Sequence, residues 1–140
     1  MKVIICLDDR GGVSYHGRRL SQDRLQRIDV IQRFASQGFC MKKETADLYH
    51  QVDQRCYQVI TDWKQVLSSE GWWVSEDLDF LQWLDQLEEL VIYRWNRLYP
   101  SDKKLLLSLS VADWRCILHD SFAGSSHAKI DVEHYVKGNG

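Results

Sequence analysis

Proline is nearly absent from this chain of 140 residues, and long apolar stretches are missing altogether. Pro100 is the single proline, and it is expected to interrupt the regular secondary structure at that point. No apolar run approaches the roughly 20 residues that a membrane-spanning helix needs. The first residues, MKVIICLDDR, reach two acids too soon for a secretory signal. We therefore expect a cytoplasmic protein that does not contact a membrane.

Cysteine and histidine are present, but their spacings are not those of a metal site. The four cysteines, Cys6, Cys40, Cys56 and Cys116, include no C-x-x-C pair, and three of them lie in apolar strand-like stretches. The five histidines show neither H-x-H nor H-x-x-x-H spacing. These patterns predict reduced core thiols and no bound metal.

Positive charge is missing from one part of the chain. Residues 65–93 contain seven Asp or Glu and no Lys or Arg, whereas residues 1–45 carry nine Lys or Arg against five acids. Because basic residues concentrate in the first third, the sequence does not favour a nucleic-acid partner. The charge separation and the six tryptophans instead fit head-to-tail contacts in a homo-oligomer.

Short stretches rich in apolar and β-branched residues predict strands. KVIICLDD, at residues 2–9, has the continuous apolar run of a strand buried on both faces. FCM, CYQVI, WWVS and LVIYRW predict four more strands. WRCILHDSF and AKIDVEHYV predict an antiparallel pair, because the second stretch alternates apolar and polar residues.

Helix-capping residues separate the predicted strands. Ser21 is expected to cap a first helix that Gly38 ends, Thr45 a second helix and Ser75 a third. The apolar stripe of the first helix consists of Leu25, Ile28, Ile31 and Phe34. Helices and strands alternate before strands follow alone, which predicts an α/β fold, parallel in its N-terminal part with an antiparallel C-terminal strand pair. We expect one domain over residues 1–137 and a frayed tail over 138–140.

Several of these pieces occur in the order found in dihydrofolate reductases. The buried first strand, CMKKETADLY and AKIDVEHYVK resemble that family's first strand, its Met-Gly-Arg-Lys-Thr turn and its final strand, which ends in Glu-x-Tyr. The resemblance implies a three-layer dihydrofolate-reductase-like sheet. It also implies that Asp23 holds the position of the family's substrate-binding acid, where a carboxylate grips the amidine-like edge of a pterin or nucleobase. A simple helix-dipole acid is the alternative.

The chain also resembles a group of small bacterial proteins that are often labelled ribonuclease Z. The shared stretches are CLDD, GRRLSQD, VIYRWNRLYPSD and FAGSSHAKIDVEHY. Ribonuclease Z chemistry needs a His-x-His-x-Asp-His cluster that holds two metals, and this sequence contains none. The chemistry of the sequence therefore gives that label no support.

The resemblance to dihydrofolate reductase fails where that family binds NADPH. There, a strand ends in paired glycines and the N-terminus of a helix faces phosphate. In this chain no Gly-Gly follows any strand after Val74, and only DQLEEL occupies residues 85–90. Lys42 also replaces the glycine of the Met-Gly-Arg-Lys-Thr turn. We therefore expect no cofactor.

Basic residues at two turns are candidate ligand contacts. Arg18 and Arg19, in the loop before the first helix, are placed for an anion site near a strand end. Lys42, Lys43 and Thr45, at a helix start, would suit a phosphate. Solvated surface charge and a helix cap are the respective alternatives.

Two further candidates lie towards the C-terminal end. Arg94 and Asn96 share one side of a strand end, where they contact either a ligand or neighbouring side chains. The stretch DSFAGSSHAKID, residues 120–131, offers serine hydroxyls beside His127, but no strained G-x-S-x-G elbow precedes them. We predict that this stretch turns the chain between two strands and that His127 belongs to a binding surface.

These patterns favour a degenerate dihydrofolate-reductase-like domain that binds a nucleotide- or pterin-like ligand without catalysing a reaction. A protein-interaction or self-associating module is the first alternative. A residual reductase or an RNA-processing enzyme is the second.

Overall fold

A computed structural model of the protein describes residues 1–50, 57–61, 65, 70–106 and 113–138. The strands are β1 (Lys2–Leu7), β2 (Gly12–Tyr15), β3 (Arg18–Arg19), β4 (Phe39–Met41), β5 (Tyr57–Val59), β6 (Trp72–Ser75), β7 (Glu89–Arg94), β8 (Lys103–Lys104), β9 (Trp114–Phe122) and β10 (Ile130–Lys137). The α-helices whose bounds lie among the described residues are α1 (Arg24–Phe34) and α2 (Lys43–Tyr49). Two 3₁₀ segments span Ala35–Gln37 and Asp79–Gln86.

Seven strands form the main sheet in the order β5-β4-β6-β1-β7-β10-β9. Five neighbouring strands of this order are parallel to one another: β5, β4, β6, β1 and β7. β1 lies between β6 and β7. β10 pairs antiparallel with both β7 and β9. The predicted fold class is therefore confirmed: a parallel sheet carries an antiparallel strand pair at its C-terminal end.

The two faces of the sheet build two apolar clusters, because successive side chains of each strand point to opposite sides. Ile4 joins the cluster that α1 and α2 cover, where Val30, Phe34 and Tyr49 are buried. Val3 and Ile5 join the other cluster, which the 3₁₀ segment and the small sheet cover. The result is the expected arrangement of three layers around a buried sheet.

A small second sheet replaces the loop expected after β1. Its strand order is β3-β2-β8. His16 and Gly17 join β2 to β3 with φ values of 51° and 74°, and two left-handed residues of this kind make the tight turn that a twisted hairpin needs. Asp8, which is 1% exposed, fixes the start of this sheet by accepting hydrogen bonds from the backbone N–H groups of Gly12 and Tyr99.

The predicted helix boundaries need correction. Asp23, not Ser21, caps α1, because its carboxylate accepts the N–H of Gln26. α2 begins after Lys42, so Thr45 lies inside the first turn instead of capping it. Ser75 ends β6, and a 3₁₀ segment takes the place of the predicted third helix.

Burial also differs from the prediction in several places. On α1 the buried residues are Gln26, Arg27, Val30 and Phe34, whereas Leu25 is 42% exposed. Trp72 and Trp73 lie in the core, so the expected tryptophan surface does not include them. Cys40 is buried as predicted, but Cys116 is exposed, and Cys56 lies outside the described residues.

A backbone hydrogen bond holds the last described residue of the chain. The backbone N–H of Gly138 donates to the carbonyl of Asp113, and the other two residues of the predicted tail lie outside the described part. Among the described residues, no helix has the length and apolar character to cross a membrane.

The buried sheet gives a direct test of the core. Ile92, on β7, is 1% exposed, and its replacement by alanine leaves a cavity between strand and covering segment. We expect Ile92→Ala to lower the free energy of unfolding by about 2–5 kcal/mol, measured by urea denaturation. Leu106→Ala is the control, because Leu106 is 85% exposed and should cost less than about 0.5 kcal/mol. Equal losses in the two variants would contradict this assignment of the core.

Candidate functional site at the carboxyl ends of the parallel strands

A cleft opens where β4 and β6 end, the edge at which open α/β sheets commonly bind ligands. We call it the outer cleft; its volume is about 560 Å³, within the range of small-molecule sites. Its lining residues come from the β2–β3 turn, the start of α2 and the end of β6. They are Gly17, Arg18, Arg19, Lys42, Glu44, Thr45, Trp73, Val74, Ser75, Glu76 and Asp77.

The ion pair between Arg19 and Glu76 occupies the wall of the outer cleft. Both Nε and Nη2 of Arg19 donate to the Glu76 carboxylate, and Nη2 lies 2.9 Å from Oε1. Thr45 Oγ1 donates to the same carboxylate at 2.5 Å. The hydrogen bond to Glu76 raises the pKa of Arg19 despite partial burial. A guanidinium and a carboxylate are thus held side by side in fixed geometry.

A smaller space of about 50 Å³ lies behind this ion pair, and we call it the inner cavity. Arg19, Thr45, Ser75 and Glu76 line both the inner cavity and the outer cleft, so the ion pair stands between the two spaces. The remaining lining residues come from β1, α1, α2, β2, β6 and the segments flanking them. They are Ile4, Ile5, Cys6, Val13, Leu20, Ser21, Gln22, Gln26, Arg27, Leu48, Tyr49, Val74 and Trp95.

Arg27 brings a buried cation to the inner cavity. It is 5% exposed, and its Nη1 donates to the side-chain oxygen of Gln22 at 3.1 Å. Its Nε has no hydrogen-bond partner among the residues that the structure describes. Burial lowers the pKa of Arg27, while its electrostatic interactions with Tyr49 and Asp23 oppose that change. Nearby, burial raises the pKa of the Cys6 thiol and of the Tyr49 phenol, so both groups stay protonated.

Asp23 is the centre of a separate buried cluster. Its carboxylate accepts hydrogen bonds from the backbone N–H groups of Gln26, Ser125 and Ser126 at 2.8–3.1 Å. His127 Nδ1 lies 2.9 Å from Oδ2, in the geometry of a donor. Burial alone would raise the pKa of Asp23, but these hydrogen bonds outweigh it and hold the pKa well below its ordinary value.

The other side of His127 faces two hydroxyl groups. Its Nε2 lies 2.9 Å from the Tyr99 hydroxyl and 3.1 Å from Ser21 Oγ. Trp95 stacks on the imidazole with ring centroids 4.5 Å apart. Asp23, His127 and Ser21 stand in the order of a serine-nucleophile site, but Tyr99 shares the nitrogen that would take the serine proton. The arrangement therefore fixes a ring and two hydroxyls in place.

The predicted turn at residues 120–131 connects β9 to β10, and its serines bond locally. Ser125 Oγ accepts the N–H of Arg24 and lies 3.1 Å from Asp23 Oδ1. Ser126 Oγ lies 3.0 Å from the carbonyl oxygen of Gln22. Gly124 passes so close to the Asp23 carboxylate that a Cβ atom there would collide with it. The turn is thus docked on the start of α1.

The structure distributes the nine candidate ligand contacts over several places. Four of them line the outer cleft: Arg18, Arg19, Lys42 and Thr45. Asp23 and His127 contact each other behind it, and the ligand role predicted for each stays a prediction.

The other three candidates make contacts outside the cleft. Lys43 is exposed and lies 3.4 Å from Asp47. Arg94 pairs with Glu133 of β10, and Asn96 donates to the carbonyl of Lys129. Their predicted ligand contacts also stay predictions.

Two charged residues of the site escaped the sequence analysis. Glu76 follows a buried strand directly, which is the position expected for a site residue. The predicted cap at Ser75 instead places Glu76 in the first turn of a helix. Arg27 lies four residues after Asp23 and therefore on the same face of α1, a spacing that could have identified it. Among the described residues, no group of His, Cys, Asp or Glu is arranged to hold a metal ion.

Comparison with solved structures identifies the architecture. The chain superposes on a dihydrofolate reductase from Enterococcus faecalis, solved in complex with NADP(H) and RAB-propyl, with a TM-score of 0.67. The match covers 99% of this chain and 96% of the reductase at 10% sequence identity. No protein-family model and no curated protein sequence matches the chain. The fold is therefore that of dihydrofolate reductase, as the order of sequence elements predicted.

The Asp23 cluster predicts a stability that depends on pH. Asp23→Asn removes the charge that four donors share, and we expect a loss of about 2–4 kcal/mol at pH 6. Because the pKa of Asp23 is lowered in the fold, its contribution is present above about pH 4 and is lost as the pH falls further. The difference between wild type and variant should therefore shrink at pH 3 in urea denaturation.

Asp85→Asn, at an exposed carboxylate, is the matched control for the loss of one negative charge. It should change stability by less than about 0.5 kcal/mol at pH 6. A wild-type advantage over Asp23→Asn that is as large at pH 3 as at pH 6 would show that the carboxylate charge is not what anchors the turn.

Proposed function

We propose that the protein binds a nucleotide- or pterin-like ligand in the outer cleft and that it does not reduce folate with NADPH. The observation that best supports this proposal is the guanidinium–carboxylate pair of Arg19 and Glu76 on the cleft wall. Nucleobase and pterin rings present donors beside acceptors along one edge. A wall that holds both charges side by side is complementary to such an edge.

The charges of the cleft favour a ring over a string of phosphates. Lys42 and Arg19 are each paired, with Asp79 and Glu76 respectively, so neither carries uncompensated positive charge. Asp77, next to Glu76, adds a further carboxylate to the lining. Counted with Arg18 and Glu44, the lining holds three basic and three acidic side chains, so it offers no excess positive charge to a dinucleotide's phosphates.

The strand ends supply a second argument against NADPH. The residue pairs that follow the parallel strands are Asp8-Asp9, Lys42-Lys43, Ile60-Thr61, Glu76-Asp77 and Trp95-Asn96. None of these pairs is Gly-Gly, so side chains stand wherever a phosphate would need the bare backbone. This supports binding without hydride transfer, and we expect the protein to act in the cytoplasm.

A ligand panel tests the proposed site. Thermal shift and tryptophan fluorescence should be recorded with pterin, dihydrofolate, AMP, GMP and NADPH, since Trp73 lines the cleft. We expect at least one pterin or mononucleotide to bind saturably and NADPH to leave both signals unchanged. Glu76→Gln should raise the Kd of whichever ligand binds by about tenfold, because the substitution removes a charged hydrogen-bond acceptor.

Glu88→Gln is the control for that variant, because Glu88 is exposed and lies outside the cleft. It should bind the same ligand with unchanged affinity. Saturable binding of NADPH at micromolar concentration would overturn the non-reductive role. The absence of any bound ring compound, or a Glu76→Gln variant that binds as tightly as wild type, would overturn the site.

Self-association is the second candidate function, and the long strand β9 favours it. β9 lies at the edge of the main sheet, and seven of its nine residues are exposed. Ile117 and Leu118 are 50% and 36% exposed. A long edge strand with apolar residues is a template for pairing with another strand.

Light scattering after size exclusion tests self-association. If β9 pairs with a second copy, the molar mass should rise with protein concentration in both low and high salt, because the contact is mainly backbone and apolar. Ile117→Lys should shift the protein to monomer, whereas Leu106→Lys, at an exposed site off the strand, should not. A wild-type monomer at all concentrations would exclude this function.

A further inference from the structure

Arg27 has no anionic partner among the described residues, although it is almost fully buried. It takes part in none of their ion pairs, and Nη1 makes the single hydrogen bond described for its side chain, to a neutral amide. A buried guanidinium without a carboxylate loses its hydration without full compensation. Such an arrangement is costly and calls for a specific reason.

The two nearest candidates for an internal partner are already engaged. Asp23 lies one helical turn before Arg27, but its oxygens accept the N–H groups of Ser125, Ser126 and Gln26. Glu76 lines the same inner cavity, but its charge is already paired with that of Arg19. Within the described part of the chain, Arg27 therefore lines the cavity without a carboxylate partner, and its Nε makes no hydrogen bond.

The inner cavity has room for a small group only. Its volume of about 50 Å³ admits a few water-sized atoms but no aromatic ring. Tyr49, Thr45 and Ser21 line it together with Arg27. A carboxylate fits this description, because its two oxygens match the fork of a guanidinium.

We infer that the inner cavity is a carboxylate-binding site in which Arg27 pairs with the acidic end of a ligand. This inference rests on the proposed function, since the remainder of that ligand would lie in the outer cleft. It narrows the ligand class to ring compounds that carry a short carboxylate arm. The arm passes beside the Arg19–Glu76 pair, which lines both spaces.

Acetate is the probe that tests the cavity alone. The melting temperature should be measured in sodium acetate, against acetamide as the neutral isostere and against sodium chloride at equal ionic strength. We expect acetate to raise the melting temperature saturably, by roughly 5–10 °C at a hundredfold excess over Kd. Acetamide should give no rise. A saturable change in the ¹⁵N–¹H signal of the Arg27 Nε should accompany the acetate titration.

Two variants separate anion binding from a structural role. Arg27→Met keeps the length of the side chain and removes the charge, so it should abolish the acetate response and raise the melting temperature without acetate. Arg27→Lys keeps the charge but loses the fork, and should bind acetate at least tenfold more weakly. Arg24→Met, at an exposed position of the same helix, is the control and should respond to acetate like wild type.

The outcomes test the carboxylate site in the inner cavity separately from the proposed ligand site in the outer cleft. An acetate response that persists in Arg27→Met, or that equals the chloride response in wild type, would overturn the carboxylate site. If Arg27→Met does not fold, an Arg27 Nε signal in wild type that acetate leaves unchanged would overturn it equally. A positive acetate titration with a negative ring panel would instead retain the inner site and remove the proposed function.

Discussion

The carboxylate of Asp23 is the interaction on which the arrangement of the site depends. It begins α1 by accepting the N–H of Gln26, and it holds the β9–β10 turn through Ser125 and Ser126. Through His127 it also reaches Trp95, the residue that follows β7. One buried charge thus joins a helix, a hairpin turn and a strand end that are far apart in sequence. Because each donor is fixed, the helix axis and the wall of the inner cavity are fixed with it.

This constraint changes what the resemblance to dihydrofolate reductase means for the protein. The resemblance places Asp23 as a ligand-gripping acid, but here protein donors surround both of its oxygens. The polar groups that face open space are instead Arg19, Glu76 and, deeper, Arg27. The fold is thus compatible with our proposal that Arg19 and Glu76, on neighbouring elements, contact the ligand. This is the behaviour expected when function resides in side chains at strand ends and not in the sheet itself.

The sequence predicted the sheet better than the site, for a physical reason. A buried strand such as β1 is specified locally, because each of its residues must be apolar on both faces. The start of the first helix was predicted wrongly because Ser21 and Asp23 are both good capping residues; Asp23 is the cap, and it also accepts hydrogen bonds from the distant turn at Ser125 and Ser126. The positions of Arg27 and Glu76 in the sequence could have marked them as candidates, but their burial could not be predicted, since charged residues are mostly exposed. The candidates in the outer cleft, Arg18 and Lys42, were found because strand ends converge at one edge.

The two buried charges on α1 show how stability and recognition are divided along a single helix face. Asp23 and Arg27 are one turn apart, and a direct ion pair between them would have satisfied both. The turn at Ser125–His127 prevents this pairing by occupying the carboxylate, so that the negative charge is fully hydrogen-bonded while the positive charge is not. A helix selected for stability alone would carry an apolar residue at position 27, because methionine of similar length needs no hydration there. We therefore attribute the guanidinium beside the cavity to an anion that enters from the cleft. This anion would form the ion pair with Arg27 that Asp23 does not form.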